Sequence, residues 1–198
     1  MTLRDAGETI GLFEPLMVSE GSPKRAELND LALELAARSA AFQASLPASI
    51  ADALAGLIRS MNCYYSNLIE GHNTHPVDIE RAMNDDYSTD PEKRDLQLEA
   101  KAHIAVQKWI DEGGVHGRAT TPNTILDLHR RFCELLPPDL LFVEHPTTGE
   151  RLPVIPGAIR DHDVEIGRHV AVSPGAVHRF LTRLDEAYAR AGRIDSIL

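Results

Sequence analysis

Apolar residues recur at three- and four-residue spacing along most of this chain, a period that predicts a succession of amphipathic helices. The first is expected over residues 24–45, where Asp30, Glu34 and Arg38 interrupt an otherwise apolar stretch at helical spacing. Pro47 marks its break, since proline disfavours helix in the residue before it. Ser49 is placed to cap a second helix that carries Ile50, Leu54, Leu57, Ile58 and Met61 on one face and continues through Glu70, with Gly71 as its stop. Pro76 suits the first turn of a short helix over 77–83. The polar run 84–94 is expected as a linker or as the frayed start of the next helix, whose Leu96, Ala100, His103, Ile104 and Trp109 keep the period to residue 110. Gly113 and Gly114 end it. A further helix over 121–136 has Thr120 or Thr121 as its cap, Pro122 at its first position and Pro137-Pro138 behind it.

After the double proline the period changes. β-Branched residues punctuated by turn residues fill 140–172, and the best local hairpin runs from Ala158-Ile159-Arg160 through Asp161-His162-Asp163 into Val164-Glu165-Ile166. Ser173-Pro174 then starts a last helix with Val177, Phe180, Leu181, Leu184 and Tyr188 as its apolar stripe. Residues 1–23, rich in Gly, Pro and Glu, show no sustained period and read as a leader that packs irregularly or not at all. Repeats and low-complexity tracts are absent from the sequence.

Composition narrows the function more than the fold. A length of 198 residues suits one domain with a real core, and 43% hydrophobic with 25% charged residues is ordinary for a globular protein. Thirty acidic against twenty basic residues give a formal charge of −10, which opposes adhesion to nucleic acid or anionic membranes. No apolar run approaches the roughly 20 residues that span a bilayer. Cys63 and Cys133 lack CxxC spacing, which fits two buried thiols in a reducing cytoplasmic setting.

Catalytic motifs recognisable by spacing are missing: there is no Gly-rich phosphate loop, no GxSxG and no HExxH. His72 and His75 fall in a loop with no cysteine nearby to complete a metal set. His103 and His129 sit within apolar helical runs and read as packing histidines. Glu70 is less ordinary, because it stands at the end of an apolar helix beside Leu68 and Ile69. A carboxylate there opposes the helix macrodipole at a cost of about 0.3–1 kcal/mol. It is either a solvated surface residue or a group that calls for a cationic partner; the residues alone leave both open.

The string Tyr65-Ser66-Asn67-Leu68-Ile69-Glu70-Gly71 resembles the inhibitory helix of Fic proteins, with the pattern Ser or Thr, three residues, Glu, then Gly or Asn. His72-Asn73-Thr74 and the acidic stretch Asp78-Ile79-Glu80 look like the loop and short helix that follow it. A second, longer match joins Pro156-Gly157-Ala158-Ile159-Arg160 to Val164-Glu165-Ile166-Gly167, His169 and Ser173-Pro174, which resemble that family's flap hairpin and following helix. The likeness covers about residues 50 to 190. The family's catalytic motif, His-Pro-Phe-x-(Asp/Glu)-Gly-Asn-Gly-Arg-x-x-Arg, is not present, and His145-Pro146, followed by Thr147, does not replace it.

The resemblance implies a mainly α chain: a Fic-type helical domain with a small β-hairpin flap, incomplete towards its C-terminus, with a leader at 1–23, the inhibitory helix at about 49–71 and the flap at about 154–172. It implies a self-inhibited protein adenylyltransferase, of which this chain is the N-terminal, regulatory and target-docking portion. Ser66, Glu70 and Gly71 would be inhibitory, Glu70 by pairing with the motif's second arginine. Gly157, Ile159, Arg160, Val164, Ile166 and Gly167 would dock an extended protein substrate by main-chain pairing. ATP and Mg²⁺ belong to the intact family member, and tight binding to this portion is not expected. Alternatives are an antitoxin-like inhibitor acting on a separate Fic protein, or an inactive helical interaction module. Partly uncovered apolar faces are then expected on the helices at 96–110 and 121–136, with homo-oligomerisation or poor solubility as the result.

Overall fold

The computed structural model describes residues 3–13, 17–72, 74–145, 148–166, 168–189, 192, 194–195 and 197, with only the backbone described at Leu12 and Ile166. The chain is mainly helical. Among the described residues there are six α-helices: α1 (Arg25–Ser45), α2 (Ala48–Ile69), α3 (Pro76–Met83), α4 (Pro91–Asp111), α5 (Pro122–Glu134) and α6 (Val177–Tyr188). Proline opens α3, α4 and α5, where its missing N–H costs nothing. The Thr121 hydroxyl caps α5 by accepting from Thr124 N–H at 3.2 Å. Asp90 caps α4 in the same way through Glu92 N–H at 3.1 Å, so α4 begins at Pro91 and takes in the last part of the run expected as linker. Ser49 lies inside α2 rather than capping it; Pro47 precedes that helix without a side-chain cap.

Two short antiparallel hairpins follow α5. In the first, β1 (Phe142–Glu144) pairs with β2 (Arg151–Pro153), Val143 facing Leu152. In the second, β3 (Glu165–Ile166) pairs with β4 (His169–Val170). The expected pairing of 158–160 with 164–166 does not form. Pro156-Gly157 makes a tight turn in which Ala158 N–H donates to Ile155 C=O at 3.0 Å, and residues 158–160 then run irregularly. The Arg160 guanidinium takes the carbonyls of His162 and Val172, so the pairing register moves on to the next turn. Ala171 N–H donates to Val164 C=O at 2.9 Å and extends the ladder of that hairpin.

The core sits where α2, α3 and α4 meet, around Cys63, Ile79, Ala100 and Ile104 with Tyr64 packed against them. Gln97 is fully buried there. Its amide donates to Asp78 C=O at 3.0 Å and Asp86 C=O at 3.3 Å, and its oxygen accepts from Ser88 N–H at 2.7 Å. From this core the chain of packing passes from α4 to α5 and from α5 to α6.

Apolar surface is partly uncovered where expected, at Ile110 in α4 and Leu135 after α5, and more of it lies on α1 and α2. α4 buries Gln97, Ala100, Ala102 and Ile104, and the apolar residues of α5 are half-buried. Further exposed large apolar side chains lie on α1, at Leu31, Leu33, Leu35 and Phe42, and on α2, at Ile50, Leu57, Ile58, Leu68 and Ile69. The described part of the leader is mostly irregular. It forms one 3₁₀ turn, Ile10–Leu12, and rests on α6, with Phe13 edge-on to Phe180 at a centroid distance of 6.3 Å. Among the described residues no helix is long and apolar enough to cross a membrane.

Candidate functional site

Two regions carry the candidate residues, and different elements hold them. At the end of α2, Gly71 adopts φ +82°, the left-handed conformation that an L side chain resists. His72 N–H reaches back to Asn67 C=O at 2.8 Å and Gly71 N–H to Leu68 C=O at 3.2 Å, the paired bonds of a Schellman stop. Two buried side chains then clamp the turn: the Asn67 amide donates to the Thr74 hydroxyl at 3.2 Å, both residues being almost without exposure. Asn73, between them, lies outside the described residues.

That clamp fixes where Glu70 stands. Its backbone N–H closes the last helical bond, to Ser66 C=O at 3.1 Å, and its side chain is exposed. Among the described residues its carboxylate has no hydrogen-bond or ion-pair partner. Ser66 sits one turn earlier, also exposed, and its hydroxyl is likewise without a partner among those residues. Around them Tyr65, Leu68 and Ile69 are exposed, Ile69 at 83%. The result is a lone carboxylate at the negative end of a helix, in an apolar surround and on a rigid turn. Chemically, such a group favours a cation, above all a guanidinium that can make two parallel bonds.

The second region is the segment from Gly157 to the start of α6. Gly157 has φ +75°, and a Cβ there would lie 2.9 Å from Arg130 Cβ on α5, so only glycine permits this close approach. Its N–H donates to His129 Nδ1 at 3.0 Å. With Nδ1 accepting, the neutral His129 ring carries its proton on Nε2, 3.4 Å from Cys133 Sγ. Ile159 and Val164 help line an apolar cavity of about 480 Å³ shared with Ile125, Leu126, Val177 and Leu181. Arg160 is committed to two main-chain carbonyls and serves the loop rather than facing outward as a free charge. Ile166 belongs to β3 by its backbone, and Gly167 lies outside the described residues. Neither β3 nor β4 has a second strand neighbour among the described residues, which leaves their outer edges without a ladder partner.

Both thiols are buried, and burial pushes them up, Cys63 to about 11 with the Glu99 charge adding to the effect. They are unsuited to nucleophilic work. Burial likewise lowers His103, with Glu99 opposing it. Among the described residues no group of three or more His, Cys, Asp and Glu could hold a metal ion. α4 and α3 carry Glu92 and Asp78 in their first turns, which repel phosphate where a helix would otherwise attract it.

No hydrogen bond or ion pair joins Glu70 to the 157–167 segment among the described residues. Asn67, Thr74, Gln97 and His129 are the positioning residues that sequence reading passed over as functional parts. For Asn67 a signal existed: it stands one helical turn after Cys63, on the buried face of α2. The chain matches no protein-family model, no curated protein and no solved structure.

Proposed function

We propose that residues 1–198 are the regulatory and target-docking portion of a Fic-type protein adenylyltransferase, in which Glu70 restrains AMP transfer from ATP to a protein hydroxyl. The observation that carries this reading is the exposed Glu70 carboxylate, partnerless among the described residues at a Schellman turn clamped by Asn67 and Thr74. Glu70 would receive an arginine of the catalytic motif, and the exposed Leu68 and Ile69 would lie against the surface around that arginine. In this reading the nucleotide chemistry belongs to the polypeptide that bears the catalytic motif. The outer edges of β3 and β4 would receive an extended protein segment by main-chain pairing.

Self-modification with labelled ATP, in a protein that unites this chain with the motif, tests the reading. A charge-assisted pair is worth about 1.5–3 kcal/mol, so Glu70→Gly is expected to raise the rate about ten- to a hundredfold. An unchanged rate rejects inhibition by this helix. The exposed Tyr65, Leu68 and Ile69 also favour a second reading, an inhibitor acting on a separate motif-bearing protein. Inhibition on mixing the two chains, lost in Glu70→Ala, selects it; silence in both formats leaves a helical interaction module.

A further inference from the structure

The beginning of the chain is fastened to its far end. Gly175 N–H donates to Arg4 C=O at 2.7 Å and Ala6 N–H to the Ser173 hydroxyl oxygen at 2.9 Å. The Glu8 carboxylate accepts both donors of Ser173, the backbone N–H at 2.7 Å and the hydroxyl at 2.8 Å. Arg179, on α6, donates to the Asp5 carboxylate and to Glu8 C=O. Arg4 pairs with Asp163, which leads into β3.

Chemistry at Ser173 explains why this arrangement is specific. Ser173 precedes the 3₁₀ turn Pro174–Ala176 that opens α6, and its own side chain does not cap that turn. Its N–H would lack an intrahelical partner. Glu8 satisfies it from 165 residues away and brings a negative charge to the positive end of the helix. A Cβ on Gly175 would stand 2.8 Å from Arg4 C=O, so only glycine admits the strand of leader at this distance. Ser173, Pro174 and Ala176 are buried at the junction.

We infer that residues 4–13 are a strap that sets the freedom of the β3–β4 hairpin. It grips both feet of the hairpin: Asp163 at the entry through Arg4, and Ser173 at the exit through Ala6 and Glu8. The strap is releasable because its charged contacts lie at the surface, where single ion pairs are weak and screened by salt. Its release leaves the hairpin's own ties, Ala171 to Val164 and Arg160 to Val172, in place. Held by those ties alone, the hairpin then opens more readily. That this motion regulates target docking rests on the function proposed above; the strap itself does not.

Hydrogen–deuterium exchange of the whole chain tests it, comparing residues 161–172 with 97–104 in α4. In Glu8→Ala, exchange at 161–176 is expected to rise about tenfold or more with 97–104 unchanged. Arg4→Ala, an exposed and mild change, is expected to give a smaller rise confined to 161–166. Should Glu8→Ala fail to fold, Arg4→Ala and the unaltered chain in about 1 M NaCl give the same readout, since screening then acts within about 3 Å. Unchanged hairpin exchange under these conditions, or an equal rise at 97–104, overturns the strap. Neither outcome depends on how Glu70→Gly behaves towards labelled ATP.

Discussion

The turn at the end of α2 and the hairpin before α6 are both fastened segments, yet they are fastened by opposite means. Around the turn the ties are neutral and buried: Asn67 to Thr74, with Gln97 nearby holding the loop after α3. At the hairpin they are main-chain bonds and exposed charges brought from the leader, such as Arg4–Asp163 and Asp5–Arg179. Neutral bonds in a dry interior are indifferent to salt and pH, and expensive to leave half-made. Surface charges are individually weak and respond to both. A carboxylate meant to meet one partner in one geometry gains from the first kind of mounting; a hairpin that must admit different segments gains from the second.

Gln97→Leu should break the rigid side most severely. It leaves two carbonyls and the Ser88 N–H without their buried partner, at about 1–3 kcal/mol for each group that water cannot reach. A net loss of about 2–4 kcal/mol is expected, which for a chain of this size lowers Tm by about 6–12 °C in thermal melts followed by circular dichroism. A fall of less than about 2 °C would mean that the 84–88 loop is not tied to the core as described.

Glycine substitutions sharpen the contrast at the next level. Both Gly71 and Gly157 lie at positive φ, so alanine at either strains the backbone by about 1–2 kcal/mol. At Gly71 the added methyl meets open space, whereas at Gly157 it meets Arg130 and Leu126 C=O on α5. Gly157→Ala should therefore cost more than Gly71→Ala, and it should also release His129. Urea titrations give the energies, and the His129 ring resonances report the release. Equal costs would mean that the segment at 157 shifts away from α5 without penalty.

Helix boundaries were legible because short-range chemistry sets them: Pro76 and Pro122 open helices, Gly71 closes one, and Thr121 caps one. Glu70 stood out for a similarly local reason, a charge at the wrong end of an apolar helix. What was illegible depends on distant residues. Ala158-Ile159-Arg160 has the composition of a strand, but Gly157 is held by His129 from 28 residues away and Arg160 by Val172 from 12. The leader has no period of its own, since its order comes from Ser173, Gly175 and Arg179. Periodicity also found the apolar face of α2 without showing that Ile50, Leu57 and Ile58 would remain exposed.

The smallest expected effect is the most discriminating. Arg179 holds the Asp5 carboxyl below its ordinary range, and the Ser173 N–H does the same for Glu8. A carboxylate lowered in the folded state contributes stability above its unfolded pKa, about 3.9–4.3, and loses it as pH falls through the lower folded value. The strap should thus hold at pH 5 and loosen below about pH 4. Asp85 and Asp86 are lowered by Lys101 and Arg81 in the same sense, so the 84–88 loop should loosen as well. The Asn67–Thr74 clamp carries no titrating group of its own and should stay. In NMR spectra taken from pH 5 to pH 3, the amides of Ala6, Ser173 and Gly175 should move or broaden while the Asn67 side-chain amide keeps its position. If the Asn67 signal follows them with the same midpoint, the two regions melt as one unit and their different mountings have no consequence for motion.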